Sequence, residues 1–225
     1  MVDTHDVTII IPQYGHAELT LQCLAGLQQH EPDRGEIIVV DDGSPDGAAQ
    51  TVADQSPRPV TVLEQPQRGV TAAWNLGLAT ARTRWVVLLN NDVVVHGPWL
   101  EALLSPLTEG PACLTGPCWR IERLLPPDVL AALPITRVLE GWCLAGEREL
   151  LRGMGSFNES LQLYWSDTDL QLRLVRDAGP EALQAALHLP LQHLGHRTTG
   201  RSFNSRRQWR EDRERFLHLW TSGAR

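Results

Sequence analysis

Trp85-Val86-Val87-Leu88-Leu89-Asn90-Asn91-Asp92 is the stretch on which the fold turns. Five apolar residues run without a polar break, which fits a strand buried on both faces, as in a parallel sheet. The run stops at three polar residues, the last a carboxylate. In open α/β sheets ligands bind beyond the carboxyl ends of the strands, so such a strand delivers Asp92 to where a ligand sits. One carboxylate flanked by amides suits a hard divalent cation, Mg2+ or Mn2+, which keeps waters and takes further oxygens from substrate phosphates. Asn and Asp also favour turns and helix N-caps, and the triplet alone reads equally as a turn.

The same pattern recurs upstream. Val7-Thr8-Ile9-Ile10-Ile11 is a β-branched run bounded by Pro12, and Gln13-Tyr14-Gly15-His16 forms the loop after it. Residues 17–30 show helical periodicity, with Leu19, Cys23, Leu24 and Leu27 on one face. Glu36-Ile37-Ile38-Val39-Val40 is a second buried run, and it ends in Asp41-Asp42-Gly43-Ser44-Pro45-Asp46. A short helix over 48–55, a strand over 60–63 and a helix over 69–82 follow. This alternation predicts a Rossmann-like α/β fold, a mostly parallel sheet flanked by helices with right-handed crossovers. Parallel strands would bring Pro12 and Tyr14, Asp41, and Asp92 to one edge. A stacking group, an acceptor for a base N–H and a metal ligand together suit a nucleotide diphosphate. Arg68 could add positive charge for a phosphate, or lie on a solvated surface. No GxGxxG follows the first strand and no GxxxxGK[ST] occurs, so neither a dinucleotide fold nor a P-loop is supported.

The second half is less regular. Pro98-Trp99-Leu100 opens a helix, Leu114-Thr115-Gly116-Pro117 reads as a short strand and turn, and residues 119–138 as a variable connection. Further on, Asp167 and Asp169 stand at the start of an amphipathic run. A carboxylate there is held by the helix dipole and free N–H groups, and could serve as a general base. An N-cap without chemistry explains one Asp as well, and Asp169 has Arg173 at i,i+4 for an ion pair. His193 and His196 lie in a loop where a histidine is more often an ordinary surface residue. Arg197, Arg201, Arg206 and Arg207 make this region locally basic, either a loop closing over a diphosphate or a solvated face. Residues 208–220 read as a terminal amphipathic helix with Trp209, Phe216, Leu217 and Trp220 packed or at an interface.

Bulk properties narrow the classes. A net charge of -7 argues against a general nucleic-acid binder, which needs a basic surface. The four cysteines form no CxxC pair and read as reduced thiols of a cytosolic protein. Met1-Val2-Asp3-Thr4-His5-Asp6 has no signal-peptide pattern, and no apolar run approaches the ~20 residues of a membrane helix.

Taken in order, Ile9-Ile10-Ile11-Pro12-Gln13-Tyr14, Val39-Val40-Asp41-Asp42-Gly43-Ser44, Gly69-Val70-Thr71-Ala72-Ala73-Trp74-Asn75 and Leu88-Leu89-Asn90-Asn91-Asp92 resemble the successive motifs of a family 2 glycosyltransferase of the GT-A fold. The resemblance spans roughly residues 7–200. It implies a single domain, with a nucleotide-sugar-binding half over 1–96 and an acceptor half over 97–225. It also implies transfer of a sugar from a nucleotide-diphospho-sugar, with inversion, to a glycan or lipid-linked acceptor. The expected setting is the cytoplasm, peripherally at the inner membrane face. By position, Pro12 and Tyr14 match the loop bordering the nucleotide, Asp41 matches the acid that pairs with the base, and Asp42 sits beside it. Asn75 resembles the Asn that helps order the donor. Asn90-Asn91-Asp92 occupies the DxD position, its last carboxylate holding the metal; Asn-Asn-Asp is also the form in the rhamnosyltransferase-like branch. Tyr164-Trp165-Ser166-Asp167-Thr168-Asp169 resembles the Trp-Glu-Asp-x-Asp motif, with Asp167 as the base and Ser166 in place of Glu. Gln192-His193-Leu194-Gly195 resembles the His-x-x-Gly segment, so His193 would complete the metal site, with His196 the alternative. Two rivals stay open. A sugar nucleotidyltransferase would carry a Gly-rich basic loop after the first strand, where this chain has Pro12-Gln13-Tyr14-Gly15-His16. A non-catalytic binding module would fit the loss of acids at Asn90 and Ser166.

Overall fold

The computed structural model describes residues 6–121, 137–195 and 203–221. The first half alternates as its sequence predicts: β1 Val7–Gln13, α1 Ala17–His30, β2 Glu36–Asp41, α2 Ala48–Gln55, β3 Thr61–Glu64, α3 Val70–Thr80 and β4 Trp85–Leu89. There follow β5 Val93–Val95, α4 Leu100–Glu109, β6 Leu114–Gly116, β7 Trp119–Ile121, β8 Arg137–Leu139, β9 Cys143–Glu147 and α5 Arg148–Gly153. The remainder holds α6 Ser166–Ala178, a 3-10 turn at Pro180–Ala182, β10 Leu183–Ala185, β11 Leu191–His193 and α7 Phe203–Thr221.

Seven strands form one sheet in the order β10-β6-β9-β4-β1-β2-β3. All neighbours are parallel except β9, which runs antiparallel to both β4 and β6. Pro12 does not end β1, as its lack of an N–H suggests it should. The β1–β4 ladder closes at Ile10↔Leu88, so Pro12 pairs on the β2 side alone and its missing donor is not needed. The expected connection over 119–138 is bounded by a short antiparallel pair, β7 with β8. A second antiparallel pair joins β11 to β5 and sets His193 opposite Val93. Sequence gave no signal for either, because three-residue strands are too short for alternation to register.

Strand side chains alternate between two cores. Ile9, Ile11, Val39, Val87 and Leu89 pack with Cys23, Leu24 and Leu27 of α1 and with Leu100, Leu103 and Leu104 of α4. Ile10, Ile38, Val40, Val86 and Leu88 pack with Trp74 and Leu78 of α3 and with Leu170 and Leu174 of α6. Each fully buried aliphatic side chain stabilises by ~1.5–3 kcal/mol, so either core offsets the cost of burying carboxylates at the strand tips.

Candidate active site

A cavity of about 900 Å³ opens at the carboxyl ends of β1, β2 and β4. Its rim takes Pro12 and Tyr14 from the β1 loop, Asp42 from β2's exit, and Arg68 and Gly69 before α3. Strand alternation separates the two acids after β2. Asp41 continues the face of Ile37 and Val39, toward α1, whereas Asp42 continues the face of Ile38 and Val40, toward α3. Asp41 accordingly accepts from Ser44 N (2.8 Å), Ser44 Oγ and Gln13 Nε2 (3.0 Å), and is not among the described residues lining the cavity. Asp42 lines it, and its carboxylate also accepts from Gln65 Nε2, Arg68 N and Gly69 N at 2.7–2.8 Å.

After β4, the three polar residues diverge. Asn91 Nδ2 donates to Thr20 Oγ1 of α1 at 3.1 Å. Asn90 N donates to Trp142 O at 2.8 Å, pinning the loop to the start of β9. Asp92 is 5% exposed, and its Oδ1 lies 3.1 Å from His193 Nε2. Asn90 Nδ2 lies 3.4 Å from the same nitrogen, so Nε2 is asked both to donate and to accept; the Asp92 contact is the closer. Among the described residues no third Cys, His, Asp or Glu joins them. The pair nonetheless fits a hard divalent cation. Two neighbouring ligands at metal distances of about 2.1 Å lie about 3.0 Å apart, and such ions leave their other positions to water and phosphate.

Asp167 occupies the first turn of α6 and lines the same cavity, 8% exposed. Gly141 makes room for it: any Cβ there would overlap Asp167 Oδ2. Arg120 Nη2 donates to Thr168 Oγ1 at 2.8 Å and reaches Asp167 Oδ2 at 3.4 Å. The residue before α6, Trp165, has φ +68°, a left-handed conformation that is costly for a bulky side chain. It is held there by stacking on Phe216 (5.2 Å, 26°) and by Trp209 (6.1 Å) of α7. Ser166, which stands where the resembled motif has Glu, is buried with its Oγ 3.0 Å from Thr71 Oγ1. Thr71 N also donates to Gln162 O. Gly69, at φ +96°, lies against that same carbonyl, where a Cβ would come within 2.5 Å of the oxygen.

Other expected residues take structural positions. Asp169 is fully buried, with Arg173 Nε at 2.9 Å and Trp220 Nε1 at 3.0 Å, as its i,i+4 spacing suggested. Asn75 does not line the cavity; it brackets Phe157, donating to its O and accepting from its N, and also donates to Glu159. Arg68, although on the cavity rim, pairs with Glu159 at 2.5 Å. His196, Arg197 and Arg201 lie outside the described residues.

Several lining residues carried no sequence signal as site residues: Arg120, Glu140, Trp142 and Gln208. A supporting one, Asp212, is fully buried on α7, and its carboxylate accepts from the N–H groups of Gln162, Leu163 and Tyr164 at 2.9–3.3 Å. Gln208 and Arg215 complete its partners. The helical pattern of 208–220 placed Asp212 on a helix, but its partners lie about fifty residues upstream, beyond what periodicity can report.

The model of the family "Glycosyl transferase family 2" matches residues 8–144. Among curated proteins, glycosyltransferase AglE of Haloferax volcanii is 31% identical over 107 residues, 45% of this chain and 35% of that protein. Succinoglycan biosynthesis protein ExoO of Rhizobium meliloti is 30% identical over 101 residues, 44% of this chain and 29% of that one. The matches thus span only about a third of these relatives' length. Among solved structures, glucosyl-3-phosphoglycerate synthase of Mycobacterium tuberculosis with Mn2+ and UDP-glucose superposes with a TM-score of 0.71 at 19% identity. That match covers 96% of this chain and 79% of the other. A Pyrobaculum calidifontis mannosyltransferase with GDP-mannose and Mn2+ gives 0.62 at 23%, over 97% and 64%. The fold is GT-A, and with the family's motifs running in order from β1 into β9, the chain belongs to glycosyl transferase family 2.

Proposed function

We propose that this chain transfers a sugar from a nucleotide-diphospho-sugar to a hydroxyl of a glycan or lipid-linked acceptor, with inversion at the anomeric carbon. The observation that carries the reading is that Asp92, His193 and Asp167 all open into one cavity of about 900 Å³. That volume suits a ligand of nucleotide-sugar size. Pro12, Tyr14 and Asp42 form the nucleotide end; the Asp42 carboxylate, not Asp41, supplies the acceptor for a base N–H. Arg68 offers its guanidinium to the diphosphate once released from Glu159. Asp92 and His193 would hold a divalent cation, which when bound offsets charge on the leaving diphosphate. Asp167 takes the proton from the acceptor hydroxyl as its oxygen bonds to the anomeric carbon and the bond to the diphosphate breaks. The nucleoside diphosphate leaves with that electron pair, and no covalent intermediate with the chain is required. The solved neighbours with bound Mn2+, UDP or GDP-mannose, and the succinoglycan relative, support the donor and glycan classes. A cytoplasmic site of action, peripheral to the inner membrane face, is part of the same proposal.

The test is calorimetric binding of UDP, dTDP and GDP, with and without Mn2+, to wild type and Asp92→Ala. One nucleotide should bind in a metal-dependent way and lose that dependence in the variant. If no nucleotide binds under any condition, the transferase reading fails.

A further inference from the structure

The geometry points to Trp142 as a positioning residue for His193, acting by ring stacking, with Glu140 fixing the indole; this rests on the reading of Asp92 and His193 as metal ligands. Backbone pairing brings His193 to the site: it lies opposite Val93 in the β5–β11 ladder, and Leu194 N donates to Asp92 O at 2.9 Å. Pairing fixes Cα but not the two side-chain torsions that aim the imidazole. Metal-binding histidines are usually aimed by a hydrogen bond from the second ring nitrogen. Here both recorded polar contacts, to Asp92 and Asn90, use Nε2, and no described residue bonds Nδ1.

A flat partner is present instead. The Trp142 indole lies against the imidazole with centroids 5.1 Å apart and planes inclined by 14°. This is an offset stack of the kind aromatic pairs prefer, and it limits rotation of the imidazole out of its plane. The indole is itself held at its edge. Trp142 Nε1 donates to Glu140 Oε2 at 2.6 Å, and that oxygen also accepts from Cys118 Sγ at 3.3 Å. Glu140 N donates to Cys118 O, so the carboxylate is tied to the β7–β8 pair. Trp142 acts on the other side of the site too, because its carbonyl receives Asn90 N. One residue therefore braces both the loop after β4 and the histidine facing it. The contact between Nε2 and Asp92 sets which atom points inward; the stack sets the plane.

The experiment is Mn2+ binding followed by electron paramagnetic resonance, alone and with UDP or GDP, alongside thermal unfolding. Trp142→Leu should weaken Mn2+ about tenfold, the scale of changes to groups that orient metal ligands. Trp142→Phe, which keeps a ring in place, should retain most of the affinity, and Glu140→Ala, which frees the indole, should fall between them. A folded Trp142→Leu with wild-type Mn2+ affinity overturns the proposal. So does a loss of UDP or GDP affinity measured without Mn2+, which would make Trp142 a direct platform for the ligand. If Trp142→Leu does not fold, Glu140→Ala decides: unchanged Mn2+ affinity overturns the proposal, weakened affinity upholds it. No Mn2+ binding by wild type, with nucleotide or without, removes the metal reading itself and this inference with it.

Discussion

At Gly141 the main chain passes so close to Asp167 that no side chain fits beside its carboxylate. Gly141→Ala should therefore displace Asp167 without touching the nucleotide end. The expected result is a fall in transfer, or in donor hydrolysis, larger than any change in calorimetric binding of nucleotide with Mn2+. Asp167→Asn should keep the shape and remove the proposed base, lowering turnover by about 10²–10⁴-fold with donor affinity unchanged. Equal turnover in the Asn variant would move the base elsewhere. At this scale the sequence was legible in residue type more than in direction. Motif position points to Asp41 for the base contact, but two-residue alternation sends Asp41 toward α1 and Asp42 toward the cavity. That parity was present in Ile37-Ile38-Val39-Val40, whose uniform hydrophobicity hid which face was which.

Among the elements, α7 does more than close the chain. Its Asp212 carboxylate collects three successive main-chain N–H groups of the segment leading into α6, and its Phe216 and Trp209 hold Trp165 in the left-handed region. Removing the acceptor strands buried donors. Asp212→Ala should cost about 3–5 kcal/mol, read by urea unfolding. Loss of these bonds should also loosen the segment leading into α6, so the variant's turnover should fall at temperatures where it is still folded. The elements themselves were largely legible. Runs such as Val86 to Leu89 are buried on both faces and need no context. The short pairs β5–β11 and β7–β8 were not, since their stability comes from partners distant in sequence rather than from local pattern.

For the whole molecule, charge chemistry is unusually one-sided: all 20 basic residues are arginine, and lysine is absent. Arginine stays charged at every accessible pH. Between about pH 8 and 11 the side chains left to titrate are therefore mainly the thiols and two tyrosines. Burial, with Asp92 nearby, pushes the Cys23 thiol up to about 12. Burial and the Glu140 carboxylate do the same for Cys118, and burial raises Cys143 as well. In the unfolded chain thiols ionise at their ordinary value, about 8.5. The folded state binds their protons more tightly, so this contribution is complete below about pH 8.5 and is lost as pH rises toward 12. Urea unfolding from pH 7 to 11 should show stability falling at the alkaline end. The slope should flatten in a Cys23→Ala, Cys143→Ala double variant. A slope equal to wild type would assign the effect to other groups.

The reversed strand β9 has a consequence for which end of a strand can serve the cavity. Because β9 runs against β4, its beginning, not its end, meets the tips of the other strands, and Trp142 reaches Asn90 there. The residues immediately before β9, Glu140 to Trp142, are thus delivered to the rim of the cavity. Glu140 and Gly141, the described residues just before Trp142, line the cavity accordingly. Reversing one strand thus lets a loop from the opposite side of the sheet's chain order meet the tips of β1, β2 and β4.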